Sequence, residues 1–143
     1  MKFAEFHAGQ VIEAGPYVVT EAEVLQFANA YDPQWFHTDA KAAADGAFGG
    51  LIASGWHTGA IAMRLVADAA LAGSESFASP GLAYLKWPNP VRPGDALRLS
   101  AEVIEARLSD KRPTLGIVRW RWRMFNQRDL PVLELEATSL FKL

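Results

Sequence analysis

The chain has 143 residues, half of them hydrophobic, which suits one compact domain and leaves little room for a second. Its 14 basic and 16 acidic side chains give a formal net charge of -2, so no overall positive field attracts a nucleic-acid backbone. The absence of cysteine excludes disulfides, thiolate metal sites and a cysteine nucleophile. We therefore predict a single domain over residues 1–143, located in the cytoplasm, with no nucleic-acid partner.

No segment has the pattern of a signal peptide or a membrane span. Glu5, His7 and Gln10 interrupt the first ten residues, where a signal peptide needs a continuous apolar stretch. The longest apolar run, residues 51–72, contains His57, Arg64 and Asp68, which hydrocarbon would penalise. We expect this run to be a buried helix and the protein to have no membrane contact.

The first predicted elements are a short β-like piece at residues 15–19 and a helix that follows Thr20. The Thr20 hydroxyl can accept a hydrogen bond from the amide of Glu23, whose carboxylate can reach back to form a capping box. Apolar residues at helical spacing predict one stripe that faces a core: Val24, Phe27, Ala28 and Tyr31. Pro33 ends the helix, because the residue before proline avoids the α region, so Asp32 lies at its C-terminal end.

Two more helices are predicted before the chain changes character. Asp39 is expected to cap a brief helix, AKAAAD, that closes at Gly46. A longer helix begins at Ser54 or Gly55 and runs to about Gly73. It is apolar on nearly every side, which predicts a central helix wrapped by other elements.

From Gly81 onward the sequence is typical of β-strands separated by turn residues. Four strands are predicted, at residues 81–87, 96–108, 115–125 and 130–143. Helices followed by consecutive strands indicate an α+β fold in which a curved antiparallel sheet wraps around the long central helix.

The last two strands also predict a register. If their hairpin centres between residues 127 and 128, Arg121 faces Glu134 and Arg119 faces Glu136. Opposite charges then line one face of the sheet, while the tryptophans of the RWRWR segment line the other. Because the arginines have acidic partners, we interpret this hairpin as half-buried sheet and not as a nucleic-acid surface.

The stretch YDPQWFHTD places a carboxylate and an imidazole five positions apart, at Asp32 and His37. A carboxylate at the C-terminal end of a helix meets the negative end of the helix dipole, at a cost of roughly 0.3–1 kcal/mol where it is exposed. One interpretation is an Asp-Pro turn beside a packed histidine. The other is a pair that shares a water molecule and moves its protons, as addition of water across a double bond requires.

Neighbouring residues favour the catalytic interpretation. Trp35 and Phe36 would supply an apolar wall, and the segment from Gly50 to Ser54 and Gly55 offers bare backbone amides where the central helix begins. Such amides can stabilise negative charge on the enolate oxygen of a thioester. Together these residues predict a polar pair in a dry cleft.

Three motifs in order, FANAYDPQWFHTD, FGGLIASGWHTGAIAMRL and PVRPGD, give the chain a family resemblance over most of its length. It resembles the MaoC-like dehydratases, relatives of the (R)-specific enoyl-CoA hydratases with the hot-dog fold. The resemblance implies that Asp32 and His37 are the catalytic pair and that the amide of Gly55 lies in the oxyanion hole. It also implies a homodimer, or a dimer of dimers, whose subunits pair their sheets near the acyl chain.

The activity implied by the resemblance is hydration of a trans-2-enoyl thioester, or dehydration of a (3R)-hydroxyacyl thioester, carried on coenzyme A. A hot-dog acyl-CoA thioesterase and a non-catalytic acyl-binding subunit are the alternatives. No GxGxxG or P-loop pattern occurs, so we expect no cofactor, with coenzyme A present only as part of the substrate. Histidines 7, 37 and 57 lack short ligand spacing, so no metal site is predicted.

The start of the central helix supplies further candidates for substrate binding, Trp56, His57 and Thr58. His57 either faces the acyl pocket or packs as a hydrogen-bonded core residue. Many relatives carry a serine within this helix near the carboxylate, but no hydroxyl occurs here between Thr58 and Ser74. Either Thr58 substitutes or the support is absent.

Three cations are candidates for binding the phosphates of coenzyme A, namely Lys86, Arg92 and Arg64. As solvated surface charges they need no such role. The PVRPGD motif is itself explained by a type II turn that joins two strands.

Overall fold

The computed structural model describes residues 1–143. The strands, in chain order, are β1 (Val11–Val18), β2 (Ser76–Lys86), β3 (Ala96–Leu108), β4 (Leu115–Phe125) and β5 (Pro131–Lys142). The helices are α1 (Glu21–Tyr31), α2 (Trp35–Thr38), α3 (Ala40–Ala44) and α4 (Gly55–Val66). The five strands form one antiparallel sheet in the order β1-β3-β4-β5-β2, which leaves β1 and β2 at its edges. The predicted α+β class is confirmed.

The capping box at the start of α1 is present as predicted. The Glu23 amide donates to the Thr20 hydroxyl at 3.2 Å, and the Thr20 amide donates to the Glu23 carboxylate at 2.8 Å. The prediction that Tyr31 faces the core is wrong, because Ala28 is the last buried residue of α1 and Tyr31 is 77% exposed. The final turn of α1 therefore extends past the core and carries Asp32 to the edge of the packed region.

The segment between α1 and α4 is helical in two short pieces. Asp39 caps α3 as predicted, since its carboxylate accepts a hydrogen bond from the Ala42 amide at 3.0 Å. Helix α2, a single turn of four residues, was not predicted, because a segment this short has no periodicity to detect. This turn places His37 in the interior.

Helix α4 begins at Gly55, as predicted, but its α-helical part ends at Val66. A π-helical turn, Ala67–Leu71, continues it, and the Ala72 amide donates to the Ala67 carbonyl at 2.8 Å. The expectation that the helix is wrapped on nearly every side is wrong for the single chain, because Trp56 is 64% and Met63 43% exposed. One apolar face of α4 is therefore only partly covered within the chain.

The core lies between the opposite face of α4 and the inner face of the sheet. From the helix it contains Ile61, Ala62 and Val66. From β3, β4 and β5 it contains Leu97, Leu99, Ala101, Val103, Val118, Trp120, Met124, Leu133 and Phe141. Burial of these alternating side chains fixes which face of each strand points inward.

The predicted register of the β4–β5 hairpin is wrong by two residues. Arg121 lies opposite Glu136 and Arg123 lies opposite Glu134. The shift arises in the loop. There the Asn126 amide donates to the Leu130 carbonyl at 3.0 Å, and Asp129 adopts a φ of 59°. Opposite charges still face each other on one side, and the two tryptophans are buried on the other, as predicted.

Two strands are longer than predicted. β1 begins at Val11, four residues before the expected piece, and β2 begins at Ser76 instead of Gly81. None of the helices combines the length and the apolar character needed to cross a bilayer.

Candidate active site

Asp32 and His37 lie close together at the start of α4. Asp32 follows the last residue of α1, and α2 turns the chain so that His37 Nε2 comes within 3.3 Å of Asp32 Oδ2. The side chains are 16% and 6% exposed, respectively. Five residues that contain one proline and one helical turn therefore bring a carboxylate and an imidazole to the edge of the core.

The orientation of the His37 ring is set by its other nitrogen. Nδ1 lies 2.7 Å from the carbonyl oxygen of Ile52, and the Ile52 amide donates to the Phe36 carbonyl at 3.2 Å. Because a carbonyl only accepts, Nδ1 carries a proton, and a neutral ring presents its Nε2 lone pair to Asp32. The Phe36 ring packs edge-on against the imidazole, with centroids 4.3 Å apart, and holds it from one side.

Both oxygens of Asp32 accept a hydrogen bond. Gln34 Nε2 donates to Oδ1 at 2.7 Å, and the Ser54 hydroxyl donates to Oδ2, also at 2.7 Å. These two bonds, that from Gln34 first, lower the pKa of Asp32 below its ordinary value, against the opposing effect of burial. Asp32 is therefore an anion at neutral pH.

The support for the carboxylate comes from Ser54. Thr58 does not substitute for the missing serine, because its hydroxyl bonds the Ser54 carbonyl at 3.4 Å. The support is not absent either, because the Ser54 hydroxyl reaches Asp32. Ser54 is fully buried and immediately precedes α4. It therefore links the carboxylate directly to the start of this helix.

Gly55 is the first residue of α4, so its amide has no acceptor within the helix. A Cβ at this position would lie 2.5–2.8 Å from three carbons of the Trp87 indole, which explains why a glycine is required. His37, Gly55 and Thr58 line one cleft of about 250 Å³. Its remaining walls are Phe48, Ile52, Ala53, Trp87, Pro88, Asn89, Pro90, Val91 and Val132.

Several residues predicted to bind substrate do not line this cleft. Trp35 lies against Gly46, where its ring fills the space that a Cβ would need. Gly50 lies beside the Arg92 guanidinium, and Trp56 projects from the exposed face of α4. Phe36 contributes through its contact with the His37 ring.

His57 packs in the interior, away from the cleft. Its ring stacks on Phe27 with centroids 4.9 Å apart, and its Nε2 lies 3.7 Å from Glu23 Oε2. Burial lowers the pKa of His57, and the nearby carboxylate of Glu23 offsets this only in part. Neither interpretation of His57 holds in full: the ring is packed, but its Nδ1 has no hydrogen-bond partner, and it lines a separate cavity of about 350 Å³ with Glu23.

The three candidate phosphate-binding cations have other contacts. Arg64 pairs with Asp68 at 2.7 Å, and Lys86 lies 5.1 Å from the centre of the Tyr84 ring. Arg92 donates to the Phe48 carbonyl. No group of three or more His, Cys, Asp or Glu side chains lies close enough to hold a metal ion.

Sequence reasoning missed four contributors to the site: Gln34, the Ile52 carbonyl, Phe48 and the segment from Trp87 to Val91. Gln34 had a detectable signal, because an amide two residues after an aspartate can bond its carboxylate in a turn. The segment after β2 had none, because it reaches the cleft only through the folding of the sheet.

A hot-dog architecture with a buried Asp–His pair at the start of its helix agrees with the comparisons with known proteins. The MaoC like domain model matches residues 3–119, and the chain belongs to this family. The MaoC-like dehydratase of Rhodospirillum rubrum superimposes with a TM-score of 0.89 at 37% identity, over 97% of this chain and 94% of that one.

Two further relatives carry activity names. 3-Hydroxyacyl-thioester dehydratase Z of Mycobacterium tuberculosis is 34% identical over 68% of this chain and 66% of its own length. R-Hydratase PhaJ1 of Pseudomonas aeruginosa superimposes with a TM-score of 0.78 at 28% identity, over 98% of this chain and 84% of that one. The chain is therefore a member of a hydratase and dehydratase family with the hot-dog fold.

Proposed function

We propose that the protein adds water to a trans-2-enoyl thioester to form a (3R)-hydroxyacyl thioester, and catalyses the reverse dehydration. The observation that carries the proposal is the orientation of His37, whose Nδ1 is held by the Ile52 carbonyl while Nε2 faces Asp32 at 3.3 Å. Two acceptors at this distance repel unless a donor lies within reach of both. A water molecule that donates one hydrogen to each satisfies this requirement.

The proton balance follows from the pair. The water oxygen bonds to the β-carbon, the electrons of the double bond move into the thioester as an enolate, and the α-carbon takes a proton. The Asp32–His37 pair accepts one proton from water and returns one to the α-carbon, so it ends in its starting state. Because the same pair performs both transfers, hydrogen and hydroxyl would add to the same face.

The amide of Gly55 would stabilise the enolate oxygen. It lines the same cleft as His37 and has no acceptor within α4. The start of a helix also carries partial positive charge, which favours negative charge on the substrate as the reaction proceeds. In this proposal, His37 and the Gly55 amide act on the substrate from the same cleft.

The test is hydration of crotonyl-CoA, followed by the loss of enoyl absorbance and by chiral analysis of the product. Asp32→Asn should lower turnover by about 10²–10⁴-fold, because it removes the anionic partner of the proton transfer while preserving side-chain size. Asp110→Asn, an exposed site in the β3–β4 turn, is the matched control and should retain wild-type turnover. Undiminished hydration by Asp32→Asn would refute the assignment.

We propose coenzyme A as the carrier of the thioester, and the assay also separates hydration from thioester hydrolysis. A thiol reagent added to the reaction detects free coenzyme A, which hydrolysis releases and hydration does not. Release of thiol with no hydroxyacyl product would favour the thioesterase. Tight binding of the thioester without either product would favour a non-catalytic acyl-binding subunit.

We further propose that two copies of the chain pair through β2 and the exposed face of α4. The edge strand β2 offers unpaired backbone groups along 11 residues, with Phe77 58% and Leu82 49% exposed. Beside it, Trp56 and Met63 line an apolar groove of about 530 Å³ between α4 and the sheet. An antiparallel β2–β2 pairing satisfies the backbone groups of both copies and covers both grooves by one twofold axis.

Light scattering after size exclusion measures this assembly. The wild type should have the mass of two chains or a multiple of it, and Leu82→Asp should shift the mass toward a single chain, because it places a charge inside the proposed interface. Arg107→Asp, on an exposed part of β3, is the control. A wild type that is monomeric at micromolar concentration would exclude the pairing.

A further inference from the structure

Trp87 follows β2 and lies against the residue that begins α4. The indole occupies the space next to the Gly55 α-carbon, since a Cβ there would come within 2.5 Å of Trp87 Cε2. The same side chain lines the cleft that contains His37 and Gly55. Trp87 therefore lines the cleft and also contacts Gly55, whose amide is the proposed donor to the enolate oxygen.

A second indole braces the first. Trp56 packs edge-on against Trp87, with ring centroids 5.4 Å apart and an interplanar angle of 81°. Trp87 lines the cleft of about 250 Å³, whereas Trp56 lines the apolar groove of about 530 Å³. The cleft and the groove share no lining residue. The indole pair therefore forms the wall between the two cavities.

The cleft enclosed by this wall is small. Binding sites for drug-sized ligands enclose roughly 300–1,000 Å³, above the volume found here. Phe48 and Val132 also line the cleft, and proline occupies two positions of the segment that follows Trp87. A cleft of this size suits a short acyl group.

We propose that Trp87 is a specificity-determining residue that restricts the enzyme to short enoyl thioesters. The inference rests on the proposed hydration activity and adds to it the class of acyl group. Trp87 excludes longer groups because its ring, 41% exposed and packed on Gly55 and Trp56, occupies the volume they would need. Discrimination by an apolar wall is modest in size, about 10–200-fold for one methylene.

The experiment compares crotonyl-CoA, 2-octenoyl-CoA and 2-dodecenoyl-CoA for the wild type, Trp87→Ala and Trp87→Phe. The wild type should prefer crotonyl-CoA, and Trp87→Ala should raise the ratio of kcat/KM for octenoyl over crotonyl substrate by about tenfold or more. Trp87→Phe should give an intermediate ratio, because it retains part of the wall and also keeps the test valid if the alanine variant unfolds. Leu108→Ala removes an exposed apolar side chain outside the cleft and should leave the ratio unchanged.

A wild-type preference for the longer substrates would overturn the proposal. An equal loss of kcat/KM on all substrates in both variants would also overturn it, since Trp87 would then act only by holding Gly55. Calorimetric binding of butyryl-CoA and octanoyl-CoA tests the same wall without turnover, and Trp87→Ala should selectively tighten octanoyl-CoA. If no enoyl thioester is hydrated by the wild type, the proposed function fails, while this binding comparison still decides the role of Trp87.

Discussion

Two histidines of this chain are buried beside carboxylates of the same helix, and each of them lines a different cavity. His37 Nε2 lies 3.3 Å from Asp32, at the end of α1, and His57 Nε2 lies 3.7 Å from Glu23, in its first turn. Each carboxylate accepts one hydrogen bond at each oxygen. Proximity and burial alone therefore do not distinguish a catalytic pair from a packing pair.

The difference lies at the second ring nitrogen and in the groups that share the cavity with each ring. His37 Nδ1 is fixed by the Ile52 carbonyl, whereas His57 Nδ1 is buried without a hydrogen-bond partner. The His37 ring lines the cleft with Gly55, whereas the His57 ring stacks on Phe27 and lines, with Glu23, a separate cavity of about 350 Å³ beside α1. General acid–base hydration needs a defined tautomer and a donor for the developing negative charge in the same cavity, and only the Asp32 pair has both.

Replacing each histidine in turn should give the largest difference in turnover between the two pairs. His37→Ala should lower hydration of crotonyl-CoA by about 10²–10⁴-fold, because it removes one member of the proton-transfer pair. His57→Phe should lower it less than tenfold, since a ring of similar size keeps the contact with Phe27. Both variants are assayed after circular dichroism confirms the fold. A greater loss in His57→Phe would reverse the assignment of the two pairs.

Removing the hydrogen bond from Ser54 to Asp32 should have the next largest effect on turnover. Ser54→Ala should lower turnover by about 10–100-fold, because a hydrogen bond to a charged group contributes about 1.5–3 kcal/mol and positions the carboxylate. The same change should raise the pKa of Asp32, which the Ser54 and Gln34 bonds hold below 3.8. Carboxyl carbon resonances followed against pH measure this shift. A variant with reduced turnover but an unchanged Asp32 pKa would show that Ser54 acts by another route.

The candidate pair was predictable from the sequence only in part. A capping box and a proline identify the end of α1 at Asp32, whereas the turn α2 that brings His37 to it was not predicted, and the choice of a catalytic pair over a packed turn came from the family resemblance. The role of Ser54 was not predictable, since it depends on how the loop before α4 packs against the end of α1, 22 residues away. Trp87 was missed for the same reason, as it reaches Gly55 only after β2 has joined the sheet.

The fold shows the same division between local and distant determinants. Strand alternation and turn residues predict the antiparallel sheet, whereas the hairpin register depends on the loop conformation around Asp129 and was wrong by two residues. The exposure of Tyr31 likewise depends on where the core ends, which helical periodicity does not reveal.

The pH dependence of stability tests whether His57 is buried in its neutral form. Burial keeps the folded-state pKa of His57 below the unfolded value of about 6.5, so the unfolded chain binds an extra proton between the two values. The free energy of unfolding should therefore fall as pH drops below about 6.5 and level off below the folded-state pKa. His57→Phe should reduce this slope, and His7→Ala, an exposed histidine, should not. Urea unfolding at several pH values measures it, and an identical slope in His57→Phe would contradict the buried neutral state.

Tyr17→Phe should have the smallest effect on stability and activity. It removes one hydrogen bond to Glu23, the carboxylate beside His57. The Tyr17 hydroxyl donates to Glu23 Oε2 at 2.6 Å, and this hydrogen bond is the main cause of the raised pKa of Tyr17. Its loss should lower the free energy of unfolding by about 1 kcal/mol, as expected for one partly exposed hydrogen bond. Turnover should remain at the wild-type level, because Glu23 anchors α1 by the Thr20 cap and does not reach the cleft. A fall in turnover out of proportion to stability would mean that the position of α1 controls Asp32, and that the two carboxylates are coupled through the helix they share.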